Sequence, residues 1–195
     1  MMLLMLSSSA VSGDHDASGD HDASGQGDDM SNDPPDYLTQ LLLHFADLRD
    51  GTHGGAGARS DKEHLFSLAV QLVDEFARQS LDEINDVLLA GTGEVGATGF
   101  QSGPDGPQAA WTLSWPQQRA AGLDPVTIRA YYGQTASHPH LRGATTGDWP
   151  LNVFDASQAA AMLPTFRAIA SADLHNLVFQ GGWQIVPAIE RGWTP

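Results

Sequence analysis

Along residues 36–90 apolar side chains return every third or fourth position, whereas beyond residue 108 they alternate with polar ones. Helices therefore come first and strands mostly after. Leu38, Leu41, Leu42, Phe45 and Leu48 share one stripe, which predicts a helix over residues 37–49. Asp33 or Asp36 serves as its N-cap, and Pro34 is tolerated in the first turn. The glycine-rich stretch 50–59 reads as a loop. Ser60-Asp-Lys-Glu63 has the form of a capping box and opens a second helix that buries Leu65, Leu68, Ala69, Leu72, Val73 and Phe76. A second box, Ser80-Leu-Asp-Glu83, predicts a third, shorter helix with Ile84, Val87 and Leu88, ended by Gly91.

Residues 91–108 are rich in Gly and Pro and predict a long loop. Trp111, Leu113 and Trp115 alternate with Thr112 and Ser114, as in a half-buried strand. Ile128, Ala130 and Tyr132 mark one face of another over 126–132, and 151–154 is a shorter candidate. Asp155-Ala-Ser-Gln158 opens an alanine-rich helix interrupted near Pro164 and resuming through Ile169. Residues 177–179 and 183–186 flank Gly181-Gly182 as last strands. The expectation is an α+β fold: about three N-terminal helices packed on a small, mostly antiparallel sheet of three to five strands, with one further C-terminal helix.

Composition separates a tail from this domain. Asp14, Asp16, Asp20, Asp22, Asp28, Asp29 and Asp33 lie in the first 33 residues without a Lys or Arg, and Ser-Gly-Asp-His-Asp-Ala occurs twice in tandem over 12–23. Such a segment does not bury enough apolar area to offset chain entropy, so 1–33 is expected to be a disordered acidic tail and 34–195 a single domain. Met30 is the expected true start. The formal charge of −15 argues against nucleic acid as a partner, and no basic amphipathic stretch argues for a membrane surface. Residues 1–6 are apolar but too short to span a bilayer and lack a basic flank. There is no cysteine, which excludes disulfides, thiolate metal sites and a cysteine nucleophile, and fits a reducing, cytoplasmic location.

Three segments carry candidate chemistry. Gly91-Thr-Gly-Glu-Val-Gly96 has the glycine spacing of a dinucleotide-binding turn, but Thr98-Gly-Phe-Gln-Ser-Gly-Pro leaves no room for the helix that must follow. NAD or FAD is therefore not expected. His138 and His140 project to one side of an extended segment, and His175 from another element completes a set of three for a divalent metal, with Asp148 or Asp155 as a carboxylate. The ordinary alternatives are solvent-exposed loop histidines and a His175 that serves a helix C-terminus. Residues 138–154 as a whole interleave polar, charged and aromatic side chains in a loop, as binding sites do. Arg142 would clamp an anion, with Asp148, Trp149 and Asn152 around it, unless it merely pairs with Asp148. Ser137 beside His138 is only a chain neighbour, and no nucleophile elbow occurs.

With no recognisable catalytic set, the leading expectation is a non-catalytic accessory or interaction protein, a subunit of an assembly or a homo-oligomer. Amphipathic N-terminal helices and Trp193 near the C-terminus are its contact surfaces. A small metal-dependent enzyme or metal-binding protein built on His138, His140 and His175 is the first alternative. A small-molecule binding module using Arg142 and Trp149 is the second.

Overall fold

The Gly51 and Gly91 stops and the long helical stripe between them organise the first half of the domain. The computed structural model describes residues 36–190 and 192; the tail over 1–33, the start at Met30 and Trp193 lie outside the described residues. Helix α1 spans Asp36–Asp50 and α2 spans Arg59–Leu88, about 45 Å long at 1.5 Å per residue. Two helices therefore stand where three were expected. The second capping box lies inside α2: Phe66, Val70, Val73, Ala77, Leu81 and Ile84 keep the helical phase straight through Ser80. Ser80 Oγ donates back to Ala77 O, and Glu83 pairs with Arg167, so neither side chain acts as a cap. Leu68, expected to be buried, is exposed, as are Val87 and Leu88.

The strands that follow are β1 (Glu94–Ala97), β2 (Gln101–Gly103), β3 (Gly106–Ser114), β4 (Val126–Tyr131), β5 (His140–Gly143) and β6 (Asp148–Pro150), with the short helix α3 (Pro116–Ala120) between β3 and β4. They form one antiparallel sheet in the order β1-β3-β4-β5-β6, and β2 also pairs with β3. The 91–108 loop is thus mostly strand: β1 and β2 run back along β3, and the glycines form the turns. The 138–154 loop is a β5–β6 hairpin rather than irregular chain. Residues 151–154 continue beyond it without strand pairing.

Helices α4 (Ala156–Ala161), α5 (Leu163–Gly181) and α6 (Pro187–Glu190) complete the chain, with a 3-10 turn at Trp183–Ile185. Residues 177–179 and 183–185 are therefore helical, and Val186 is extended without strand pairing. The second half of α5 carries Leu174 and Leu177 into the core at helical spacing, and Gly182 at φ 80° ends it.

Helices α2 and α5 pack on one face of the sheet. Phe66, Val73, Leu81, Phe166 and Ile169 meet Trp111, Leu113, Ile128 and Leu141 there, all fully or almost fully buried. Asp173 on α5 lies beneath the sheet with no exposed surface. It accepts from Thr127 N (2.9 Å), Thr145 N (2.7 Å) and Thr145 Oγ1 (2.6 Å), tying the helix to β4 and to the hairpin tip. On the opposite face Arg129 and Arg142 are exposed, as an antiparallel sheet allows.

Helix α1 is the exception to ordinary packing. Its apolar stripe faces out: Tyr37, Leu42 and Phe45 are 57–67 % exposed, and Leu38, Leu41, Leu43 and Leu48 are exposed too. The side turned toward the body is polar: Gln40, His44 and Asp47, spaced i, i+4 and i+7, are each half-buried.

Candidate metal centre

The inverted face of α1 delivers His44 to the start of β5. His138 precedes that strand and His140 begins it, so an extended backbone puts both rings on one side. Their centroids are 4.5 Å apart, and the His44 centroid lies 4.0 Å from that of His138 and 5.8 Å from that of His140. One ligand atom from each of the three lies within 4.8 Å of the others.

Strong local restraints hold this arrangement. Arg59, in the first turn of α2, donates to Tyr132 O (3.0 Å) and Gly133 O (2.9 Å) and lies over the Tyr132 ring, so the segment leading to His138 is pinned to a rigid helix. Ser137 Oγ lies 2.9 Å from His138 Nδ1; with that nitrogen protonated and donating, Nε2 keeps the lone pair a metal requires. Tyr131 stacks on His140 from the strand before. Asn152 is buried and donates to Gln40 O (3.2 Å), fastening α1 to the chain after β6.

A fourth histidine lies beside these. His53 has no exposed surface, sits in a tight turn closed by mutual His53–Ala56 backbone bonds, and packs on the Phe154 ring at 5.0 Å. Gly54 at φ 55° follows it, and a Cβ there would come within 2.3 Å of the Phe154 ring, so the turn requires glycine. His53 Nδ1 is 3.5 Å from Asp47 Oδ2, close enough for attraction but outside hydrogen-bond geometry.

Unpartnered polar atoms concentrate here. Among the described residues eight buried side-chain nitrogens or oxygens lack a hydrogen-bond partner, and seven belong to Gln40, His44, His53, His138, His140 and Asn152. Each such atom costs about 1–3 kcal/mol when left unsatisfied, so a cluster of seven calls for an explanation. Burial lowers the pKa of all four histidines. His138 falls to about 4, because burial is compounded by repulsion from His44, His140 and His53. All four are therefore neutral imidazoles at pH 7, the form that ligates metals.

Of the other residues singled out in the sequence, Asn152 belongs to the cluster, Asp148 acts on His140 by its charge, and the rest lie elsewhere. His175 is exposed on α5, with its ring against Phe179 at 4.8 Å; His44 occupies the third place in the cluster. Arg142 and Asp148 face each other across β5 and β6, 3.7 Å apart and both exposed, on the sheet face away from α2 and α5. Trp149 packs against the core and Asn152 lies inside, so the four do not line one pocket. An apolar cavity of about 410 Å³ lies against Leu174, His175, Val178 and Ile189, with Ser171 as its other polar side chain. It lacks convergent polar groups, so the histidine cluster carries the stronger chemistry.

Compared with family models, curated proteins and solved structures, the chain matches none. Function therefore has to be argued from the site itself. His44 could be found from sequence only by noticing that Gln40, His44 and Asp47 share the polar side of α1, a pattern that ordinarily marks a solvated face.

Proposed function

We propose that this is a divalent-metal-binding protein in which His44, His138 and His140 hold one ion between α1 and the start of β5. The observation that carries this is the set of three neutral imidazoles, His138 buried and His44 and His140 half-buried, each with an unpartnered nitrogen and all able to offer a ligand within 4.8 Å of one another. A tetrahedral ion with bonds of about 2.0–2.1 Å brings its ligands to about 3.3 Å from one another, so the rings must close by at most about 1.5 Å. Small χ rotations supply that. Imidazole ligands favour Zn²⁺, Cu²⁺, Ni²⁺ or Fe²⁺ over Mg²⁺ and Ca²⁺, which take oxygen. Three protein ligands leave a position for water, so the ion can serve as a clamp on α1 and also as a source of bound hydroxide.

The test is metal content by elemental mass spectrometry on untagged protein. Near-stoichiometric metal is expected in the parent and in His175→Ala. Single His44→Ala, His138→Ala and His140→Ala variants are expected to lose most of it. Metal retained in all three would reject the site, as would its absence from a folded parent.

The exposed apolar stripe of α1 supports a second reading, an accessory protein that presents this helix to a protein partner or a second copy in the cytoplasm. No helix among the described residues is long and apolar enough to cross a membrane. Sedimentation velocity checks self-association: a concentration-dependent dimer that dissociates in Leu42→Glu/Phe45→Glu is expected, and a monomer at every concentration would remove the second copy as the occupant.

A further inference from the structure

Lys62 is the chain's single lysine, and it is buried, only 6 % exposed, on the second turn of α2. A lysine ammonium seldom lies that deep unless it is held. Its Nζ donates to Gly51 O (2.7 Å) and to Ser137 O (3.2 Å). Gly51 is the first residue after α1, at φ 65°. Ser137 is the residue before His138, and its hydroxyl is the group that meets the His138 ring. One side chain on the 30-residue helix α2 thus joins the segment that carries His44 to the segment that carries His138.

We propose, resting on the metal-binding reading, that Lys62 is a positioning residue of that site. It holds the end of α1 at the distance from the His138 segment that lets His44 share an ion with His138 and His140. Helix α1 needs such a brace because its apolar stripe is turned away from the body. Its polar attachments near the cluster include the Asn152–Gln40 bond, the Thr52–Asp47 bonds just after the helix, and this one.

Charge and position make opposite predictions, which gives the proposal a decisive sign. A fixed ammonium repels a cation bound near it; burial is the main cause of the lowered His53 pKa, and the Lys62 charge adds to it. If Lys62 acted only through its charge, removing it would tighten metal binding. If it acts by position, removing it weakens binding, by roughly the 10–100-fold typical of groups that orient metal ligands.

The experiment is a Co²⁺ titration of the full chain, followed by the visible absorption of the ion, with folding checked by circular dichroism. Lys62→Met is expected to bind 10–100-fold more weakly and with a changed spectrum as His44 drops out. Lys62→Arg, which keeps donors and charge, is expected to recover most of the affinity. In a His44→Ala background, Lys62→Met is expected to cost little more, because the ligand it positions is already gone. Should Lys62→Met fail to fold, Lys62→Gln carries the same comparison, since its shorter neutral amide does not reach both carbonyls. Equal or tighter binding in the folded Lys62 variant overturns the proposal, as does a full additional loss in the His44→Ala background. Absence of Co²⁺ binding by the parent, or binding unchanged in His138→Ala/His140→Ala, instead overturns the metal reading beneath it.

Discussion

Zn²⁺ added to the metal-free protein is expected to raise its thermal midpoint by roughly 8–16 °C. A ligand that binds the folded state alone, at a free concentration a thousand times its Kd, stabilises by about 4.1 kcal/mol, and a domain of this size gains about 2–4 °C per kcal/mol. The effect is large because His44 arrives on a helix that buries little apolar surface, so an ion joining α1 to β5 adds stability where packing supplies little. Differential scanning fluorimetry measures the shift directly. The shift should vanish in His138→Ala/His140→Ala and be absent with Mg²⁺, which prefers oxygen ligands. An undiminished shift in the double variant would place the ion elsewhere.

Acid is expected to destabilise the metal-free protein well above the range where carboxylates titrate. His138 has a folded pKa of about 4 against 6.5 for the unfolded chain. Between those values the unfolded state binds more protons, so stability falls as pH falls. The loss begins below pH 6.5 and is complete near pH 4; 2.5 units at 1.36 kcal/mol each amounts to about 3 kcal/mol from His138 alone. His44, His53 and His140 are shifted in the same direction and add to the loss below pH 6.5. Asp74 and Glu83, whose pKa values are lowered, lose their contributions at lower pH. Urea unfolding from pH 7.5 to 4.5 tests this. A steep decline that flattens in His138→Ala is expected, whereas a flat parent profile over that range would mean the ring is solvated. The same protons compete with metal, so bound ion should delay the decline.

Local pattern determined much of the fold. Trp111, Leu113, Ile128 and Ala130 alternate inward as their spacing requires, because a pleated strand leaves no other way to bury one face. The α+β class follows from helical spacing before residue 90 and alternation after residue 108. The sequence also marked His138 and His140 as a pair, since a spacing of two in extended chain needs no knowledge of the rest of the molecule. Boundaries depended on longer range. The Ser80 box resembles a start, yet the apolar phase running through Leu81 and Ile84 and the docking of Glu83 on Arg167 keep α2 in one piece. The glycines of 91–108 read as a loop because β1 and β2 gain their stability from pairing with β3, a contact between chain segments.

Tertiary structure alone decided the orientation of α1 and with it the third histidine. A helical wheel shows an apolar and a polar side but not which one the body receives. Here the polar side goes inward, with the His44 ring against His138 and His140 and the Gln40 backbone oxygen accepting from Asn152. His175 had equal standing in the sequence, and only the packing of α5, which leaves that residue on the surface, separates it from the cluster. Residue types and short spacings are written in the chain; whether two such segments meet depends on how the α2–α5 layer seats the sheet between them.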